Sequence, residues 1–351
     1  MSTVPAATAA ASIAAAAESS HGADVAPQTM RAVVTRRYGG PEVLEVETVP
    51  VPTPGPKQVL LEVDGAALDR GTWHLMTGLP HAVRVGFGLR RPRQPVPGLD
   101  VTGRVVAVGS KVSRFSPGDR VLGIGAGTFA EFCVADEKKL SLCPEGLAIE
   151  TAAALSISGG TALQAVVDHG RVASGQRVLV IGASGGVGSF AVQIAVAEGA
   201  VVTGVASASK HDLVRDLGAV DVVDHRTQEV TELDERYDLV IDLAGNRSLR
   251  SLRRILEPNG TLVIVGGEQG GRVLGGIERN LRALLWSPFI GQRLTAMMAS
   301  EHHDVIDRLV PMAASGAVAP AVDSVVDLDG VRDAMQRLVD GEVRGKVVVR
   351  P

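Results

Sequence analysis

The pattern of apolar and polar positions along the chain changes near residue 149. Before that point, short β-rich runs are separated by glycine and proline turns such as Pro117-Gly118-Asp119, which predicts a compact β-barrel-like unit. Beyond it, helical apolar patterns alternate with strands that are apolar throughout, such as 178–181. Such strands are typical of a parallel sheet covered by helices, so the fold class is α/β.

The same patterns give approximate bounds for the individual elements. Strands are predicted at 32–35, 44–49, 59–66, 102–108, 120–123, 130–135, 177–181, 200–206, 220–223, 239–243, 261–265, 321–326 and 346–349. Helices are predicted at 150–169, 187–197, 210–217, 249–256 and 304–315, the fourth ending before Pro258-Asn259-Gly260. Residues 1–29 are mostly small and contain no Lys or Arg, which predicts a disordered tail, with a targeting or processed segment as the alternative.

Composition narrows the possible partners. The chain has 351 residues, 45% hydrophobic and 21% charged, which suits one large unit or two domains. The net charge of −4 and the 3% aromatic content favour neither nucleic acid nor an anionic membrane as a partner. The only cysteines, Cys133 and Cys143, are too few for a disulfide framework and fit a reduced, cytoplasmic setting.

A glycine-rich turn follows the strand at 177–181 and leads directly into a helix. It contains Gly182, Ser184, Gly185, Gly186, Val187 and Gly188. A pyrophosphate binds exposed N–H groups at a helix N-terminus, and side chains there would hold it away from the backbone. Because Ala183 takes the second position of the strict G-x-G-x-x-G pattern, a purely structural turn is the alternative. The strand before it and the helix after it favour a dinucleotide site.

The end of the next strand bears on the choice of cofactor. NAD-specific folds usually place Asp or Glu about 20 residues past the last glycine, where it binds the ribose 2′-hydroxyl and repels a 2′-phosphate. Residues 205–211 contain no acid and instead carry Ser207, Ser209 and Lys210, which suit a phosphate. Alternatively, the serines cap the next helix. The sequence therefore favours NADP(H) over NAD(H).

Several segments resemble the zinc-free quinone oxidoreductases of the medium-chain dehydrogenase/reductase superfamily, the zeta-crystallin-like family. They are 31–44, 97–103, 108–121, 127–131, 160–162, the glycine turn, 217–219 and 345–348. The resemblance implies a GroES-like β-barrel catalytic domain from 30–148 and 318–351, and a doubly wound Rossmann NADP-binding domain from 149–317. It also implies a substrate cleft between them and a homodimer.

The resemblance also implies which residues line the cleft. Candidate catalytic residues are Tyr38, Asp69, Arg70 and Trp73, and further cofactor contacts are Thr161, Asn246, Val265, Gly266, Gly267 and Lys346. Tyr38 and Trp73 alternatively serve as packing aromatics, Asp69 as a structural hydrogen-bond acceptor and Arg70 as a surface group. A basic, proline-bounded insertion carries Arg84, Arg90, Arg91 and Arg93, and is either a solvated loop or a lid that favours anionic substrates.

The sequence departs from the zinc alcohol dehydrogenases at their metal site. Leu99 stands where those enzymes carry a metal-binding His, residues 66–75 contain no Cys, and the four-Cys structural lobe is missing. Without a Lewis acid, the expected chemistry is hydride transfer from NADPH to a small, already electrophilic molecule, a quinone or an α,β-unsaturated carbonyl. An enoyl-thioester or secondary-metabolite reductase and a non-catalytic NADPH-binding protein are the alternatives.

Overall fold

The computed structural model describes residues 27–266, 271 and 275–351. Residues 1–26 of the expected tail lie outside the described part. The first strand begins at Thr29, where the backbone pairs with Pro50, so the tail prediction extends too far at its C-terminal end. Within the described residues, no helix is both long enough and apolar enough to cross a bilayer.

The strands and helices are numbered in chain order. The strands are β1 (Thr29–Val34), β2 (Glu45–Pro50), β3 (Gln58–Ala67), β4 (Asp100–Val108), β5 (Arg120–Ile124), β6 (Phe132–Asp136), β7 (Leu140–Leu142), β8 (Arg177–Ile181), β9 (Val201–Ala206), β10 (Asp221–Asp224), β11 (Tyr237–Asp242), β12 (Leu256–Ile264), β13 (Arg293–Ala296), β14 (Val322–Val326) and β15 (Lys346–Val349). The helices are α1 (Arg70–Thr77), α2 (Arg84–Phe87), α3 (Ile149–Leu163), α4 (Gly186–Ala197), α5 (His211–Asp216), α6 (Leu249–Arg254), α7 (Ile277–Trp286), α8 (His303–Ala314) and α9 (Val331–Val339).

A seven-stranded sheet joins the two ends of the chain. Its strand order is β14-β15-β3-β4-β5-β7. Strand β6 pairs with the first half of β3, on the side away from β4. The strands from β3 to β7 pair antiparallel, and β15 adds antiparallel to the end of β3. Its core includes the buried side chains of Leu61, Val101 and Phe129 and receives Met335 from α9. Distant parts of the sequence therefore fold into one unit, although the domain boundaries themselves stay predictions.

The middle of the chain forms a six-stranded sheet in the order β10-β9-β8-β11-β12-β13, with every pairing parallel. The strand order reverses between β8 and β11, and in doubly wound sheets the ligand binds at such a switch point, at the carboxyl ends of the strands. The continuous apolar runs arise because both faces are covered: Phe190 of α4 and Leu309 of α8 pack on one face and Leu252 of α6 on the other.

Some predicted bounds were wrong. The helix predicted at 249–256 ends at Arg254, and β12 runs through Pro258-Asn259-Gly260. The register shifts there, because Tyr237 pairs with Leu256 whereas Leu239 pairs with Thr261, so the extra residues form a bulge that accommodates the proline. Helices α1, α2, α7 and α9 and strands β7 and β13 were not predicted. Residues 164–169, predicted as α-helix, form π-helical turns after α3.

Candidate active site

Backbone geometry requires glycine at two positions of the turn between β8 and α4, and leaves space at a third. Gly182 has φ of +91°, a left-handed conformation that side chains disfavour. A Cβ added at Gly188 would lie 2.0 Å from the Gly182 oxygen, so only glycine lets α4 pack this closely on the turn. At Gly185, by contrast, an added Cβ would meet only the Gly182 oxygen, at 3.6 Å, among the described residues. The turn therefore has open space beside Gly185.

The N-terminus of α4 faces this space. The Gly185 amide donates within the turn, to the Gly182 oxygen at 3.2 Å, and the Ser189 amide donates to the Gly185 oxygen at 2.9 Å. The amides of Gly186, Val187 and Gly188 lie between them at the start of the helix. Gly185 is the N-cap and supplies no side chain. Leading amides beside an open cradle fit the pyrophosphate of a dinucleotide. Ser184 is buried, and its carbonyl accepts a hydrogen bond from the Gly345 amide at 2.9 Å.

The end of β9 brings together two of the three predicted phosphate contacts. The Oγ atoms of Ser207 and Ser209 lie 3.5 Å apart. Lys210 differs from the prediction, because its Nζ donates to the carbonyl oxygens of Gly341 and Val343, both at 2.7 Å. Burial lowers the pKa of this ammonium. Lys210 therefore links the start of α5 to the segment before β15, and its contact with a phosphate stays a prediction.

A cation that the sequence analysis missed lies at this position. The Arg344 guanidinium donates to the Ser209 carbonyl at 3.3 Å and to the Asp212 carboxylate at 2.6 Å. Its side chain is 39% exposed, so it is open to a ligand. Arg344 is separated from Ser209 by 135 residues, and no local pattern connects them. It reaches the end of β9 because the segment before β15 contacts the glycine turn and Lys210.

The loops after β11 and β12 lie beside the glycine turn. The Leu243 amide donates to the Ile181 oxygen at 3.2 Å, and the amides of Val265 and Gly266 donate to the Asp242 oxygen at 3.0 and 3.2 Å. A Cβ added at Gly266 would lie 1.9 Å from the Leu243 oxygen, so this crossing requires glycine. Val265 and Gly266 therefore lie at the predicted carboxyl edge of the sheet.

Three further predicted cofactor contacts have different surroundings. Thr161 is half-buried, and its Oγ1 donates to the Ile157 carbonyl at 2.7 Å within α3. Asn246 is exposed in the loop after β11, where its Oδ1 accepts from Arg247 at 3.2 Å. Gly267 lies outside the described residues. Both hydrogen bonds are to neighbouring parts of the protein, so the cofactor contacts of Thr161 and Asn246 stay predictions.

A buried ion pair lies beneath the glycine turn. Lys346 Nζ is 2.8 Å from Asp100 Oδ2, and the two side chains are 1% and 0% exposed. Asp100 Oδ1 also accepts from the Ile157 amide at 2.7 Å. Burial raises the pKa of the Asp100 carboxyl to about 6, although the nearby ammonium opposes this shift. A Cβ added at Gly186 would lie 3.2 Å from Lys346 Cδ, so the lysine stem supports the turn while its charge is held by Asp100.

The candidate catalytic residues around α1 have structural partners. Asp69 is the N-cap of α1, where Oδ1 accepts from the Thr72 amide at 2.7 Å and Oδ2 from the Thr72 hydroxyl at 3.0 Å. Arg70 donates to the Leu338 carbonyl at 3.1 Å, and its guanidinium lies 5.6 Å from the centre of the half-buried Trp73 ring. Asp69 therefore acts in this structure as a structural hydrogen-bond acceptor, which was the alternative to a catalytic role.

Tyr38 is attached to the basic insertion. Its hydroxyl donates to the Gly88 carbonyl, and the Arg84 guanidinium lies 4.4 Å from the ring centre. The backbone of Gly39 also bonds to α1, through the Met76 oxygen at 3.3 Å. In this arrangement the phenol proton is committed to a backbone carbonyl. The structure thus brings Tyr38 to α1, with its hydroxyl bonded to Gly88 of the basic insertion.

The residues expected to replace a zinc site contain few metal-binding atoms. Leu99 has no donor atom, and the adjacent Asp100 carboxylate is paired with Lys346. In the parts of the chain that the structure describes, one group of three side chains, His302, His303 and Asp304, has ligand atoms within 4.8 Å of one another. This group lies at the start of α8, where His302 is the N-cap. It is separate from the glycine turn in the fold.

Comparisons with known proteins agree with this architecture. Residues 55–204 match the alcohol dehydrogenase GroES-like domain, and residues 217–349 match the zinc-binding dehydrogenase domain. Mouse quinone oxidoreductase is 32% identical over 336 residues, covering 91% of this chain and 97% of the mouse protein. The structure of the quinone oxidoreductase from Coxiella burnetii superposes with a TM-score of 0.79 at 26% identity, covering 92% of this chain and 99% of that one.

A mycobacterial protein solved as a complex with NADPH superposes with a TM-score of 0.76 at 27% identity, covering 92% of this chain and all of that one. Fold and comparisons together define an oxidoreductase with a GroES-like domain and a Rossmann-type dinucleotide-binding domain. Within that class, the chain belongs to the quinone oxidoreductase family of the medium-chain dehydrogenase/reductase superfamily. The predicted family and fold class are confirmed.

Proposed function

We propose that this enzyme is a zinc-independent, NADPH-dependent reductase of quinones or α,β-unsaturated carbonyls. The observation that carries the proposal is the open cradle at Gly185 and the amides that head α4, combined with the charges at the end of β9. There, Ser207, Ser209 and Arg344 form a site that suits a 2′-phosphate. The Asp212 carboxylate beside it is paired with Arg344, and Asp323 accepts from the Arg344 amide and from Arg337. A 2′-hydroxyl would find no free carboxylate in this group.

The candidate side chains favour quinones among these acceptors. When bound, the reduced nicotinamide supplies a hydride. A quinone that accepts it becomes a hydroquinone anion, which takes its proton from water, whereas an enoyl thioester becomes a far more basic enolate that needs a positioned acid. Tyr38 donates to Gly88 and Asp69 caps α1, so both are engaged in the structure. The protein's own contribution is therefore to bind and orient the reactants.

The test is oxidation of NADPH, followed at 340 nm, against benzoquinone, phenanthrenequinone, enones, crotonyl-coenzyme A and simple ketones, with NADH in parallel. We expect turnover with quinones, weaker turnover with enones, and a lower KM for NADPH than for NADH. Tight NADPH binding without turnover of any acceptor would instead support a non-catalytic role. Metal analysis of the active protein tests zinc independence, since stoichiometric zinc that is required for turnover would refute it.

We also propose a homodimer formed through α7 and the neighbouring β13. Leu281, Leu284 and Leu285 share one face of α7 at helical spacing and are 55%, 52% and 67% exposed. Helix α7 packs beside β13, which pairs only with β12 among the described strands. An apolar helix face beside an open sheet edge suits a second copy of the chain. Light scattering should give twice the chain mass, and Leu284→Glu should give monomers.

A cytoplasmic location remains our proposal for the compartment. Cys133 and Cys143 are both buried and unpaired, which fits a reducing setting. Burial raises the pKa of the Cys133 thiol to about 12, so this sulfur stays protonated and unreactive. Fractionation of the producing cells tests the location, and recovery in a secreted fraction would refute it.

A further inference from the structure

The segment between Asp69 and Asp100 has a charge opposite to that of the whole protein. It contains five arginines and neither Asp nor Glu, in a chain with a net charge of −4. Three of these arginines, Arg90, Arg91 and Arg93, are exposed in the loop formed by residues 84–93, which we call the arginine loop. The protein therefore has a local cationic surface although its net charge is negative. The argument against a membrane partner used only the net charge, so it does not apply to this surface.

The arginine loop also exposes apolar side chains. Val85, Phe87 and Leu89 are 73%, 52% and 72% exposed, although each is large and hydrophobic. They alternate with glycines and directly precede the arginines. The side chains of Arg90 and Arg91 form no hydrogen bond or ion pair with any other described residue, so their charges are not neutralised locally. Apolar side chains next to unpaired cations are typical of surfaces that enter the interface of an anionic bilayer.

The loop is held in a defined shape at its base. The Arg93 amide donates to the Phe87 oxygen at 2.8 Å, the Gly88 amide to the Arg84 oxygen at 2.9 Å, and Arg93 Nη1 to the Gly86 oxygen at 3.2 Å. Arg84 anchors this turn, because its Nε donates to the Gly78 oxygen at 3.0 Å and its guanidinium stacks on Tyr38. Exposure of the tip is thus a property of a folded loop that contacts the rest of the protein at its base.

The loop lies at the rim of the proposed cleft. It is attached to Tyr38 and follows α1, and the preceding Pro80 contacts the six-stranded unit, since a Cβ added at Gly275 would lie 2.3 Å from the Pro80 ring. We propose that the arginine loop docks the protein on anionic lipid bilayers, with Phe87 and Leu89 entering the interface and Arg90 and Arg91 binding lipid headgroups. A lipophilic acceptor dissolved in the bilayer would then meet the cleft at the membrane surface.

An anionic bilayer accounts for both features of the loop better than a soluble anion does. A soluble anion would use the arginines but leave Val85, Phe87 and Leu89 in water. Lipid headgroups contribute a favourable interaction with each nearby arginine, and burial of the apolar tips adds to it. Because the attraction is electrostatic in part, added salt should weaken the binding.

The test is cosedimentation of the full-length protein with vesicles of phosphatidylcholine alone or with 30% phosphatidylglycerol, without cofactor or acceptor. We expect binding to the anionic vesicles only, reduced by 0.5 M NaCl. The double variant Arg90→Ser/Arg91→Ser should lower the partition coefficient by about tenfold or more. Phe87→Ser/Leu89→Ser should lower it while leaving part of the salt-sensitive attraction. Thermal melting should be unchanged, because all four side chains are exposed.

Matched controls assign the effect to this loop. Arg250→Ser/Arg254→Ser removes two other exposed arginines, and Leu142→Ser removes a leucine that is 60% exposed on β7. Both controls should bind like the wild type. Absence of binding to anionic vesicles, equal binding to neutral ones, or an equal loss in the arginine control would overturn the proposal. NADPH binding is measured separately, so failure of the membrane proposal and failure of the proposed function give different results.

Discussion

Gly185→Ala separates cofactor binding from folding at the glycine turn. Gly185 has φ of −85° and ψ of 178°, a conformation that alanine adopts readily. The added methyl would meet only the Gly182 oxygen, at 3.6 Å, so the described protein atoms leave room for it. That room is where the pyrophosphate would approach the backbone. The substitution should therefore disturb the ligand and leave the fold intact.

The expected magnitudes differ for the two properties. Alanine is a poorer N-cap than glycine, which should destabilise the folded state by less than about 1 kcal/mol. Alanine also restricts the unfolded chain, which should stabilise the folded state by about 0.4–1 kcal/mol. The two effects oppose each other, so the free energy of unfolding should change by less than about 1 kcal/mol. Holding the phosphate away from the amides removes one or two charge-assisted hydrogen bonds of about 1.5–3 kcal/mol each. The Kd for NADPH should rise by at least about tenfold, and by about 10⁴-fold if two of the stronger bonds are lost.

Gly188→Ala is the matched counterpart, with the opposite expectation. Its Cβ would lie 2.0 Å from the Gly182 oxygen, and because both atoms are fixed by backbone, α4 must move. Overpacking of this kind costs about 1–3 kcal/mol or more in unfolding free energy. Urea unfolding and NADPH fluorescence titration of both variants provide the comparison. Wild-type NADPH affinity in Gly185→Ala would refute the cradle, even if Gly188→Ala unfolds as expected.

Four further predictions follow from the contacts around the turn. Lys346→Met should lower the free energy of unfolding by about 3–5 kcal/mol in chemical denaturation, because it leaves Asp100 buried without a counter-ion; an unchanged midpoint would contradict this. Burial raises the pKa of Asp100 in the folded state to about 6, so protonation of this carboxyl favours the folded state. The free energy of unfolding of the wild type, relative to that of Asp100→Asn, should therefore fall by up to about 3 kcal/mol as pH rises from about 4 to 6. A difference that does not change with pH would exclude the raised pKa. Arg344→Ser should raise the Kd for NADPH about tenfold more than that for NADH, with Arg350→Ser as control, and equal losses would place the 2′-phosphate elsewhere. Lys210→Met should weaken both cofactors alike and lower the Tm, because its ammonium binds carbonyls; a selective loss of NADPH would restore the original phosphate role.

The sequence predicts the parts of the site whose chemistry is local. Strand β8, the glycine turn and α4 are adjacent in the chain, so Gly182, Gly185 and Gly188 could be interpreted together with their flanking elements. The apolar runs predicted the parallel sheet, because a strand that is buried on both faces is apolar at successive positions. Helix α9 carried a comparable signal that was overlooked: Val331, Ala334 and Met335 recur at helical spacing and are buried.

Contacts between distant segments were not predictable in the same way. A lysine that directly follows Ser209 looks the same in the sequence whether it faces a phosphate or a carbonyl, and Lys210 faces the oxygens of Gly341 and Val343. The partner of Asp100 is Lys346, 246 residues away, so neither sequence neighbourhood indicates an ion pair. Such assignments depend on how β15 is placed against β3, which no local pattern specifies.

The segment that leads into β15 connects the two sheets at the cofactor site. Its Gly345 amide donates to Ser184 in the glycine turn, and its Gly341 and Val343 oxygens accept from Lys210. The turn and Lys210 belong to the six-stranded sheet's unit, whereas the segment belongs to the seven-stranded sheet. Because the same hydrogen bonds join the units and fix the turn, the relative position of the two sheets and the geometry of the cradle depend on each other.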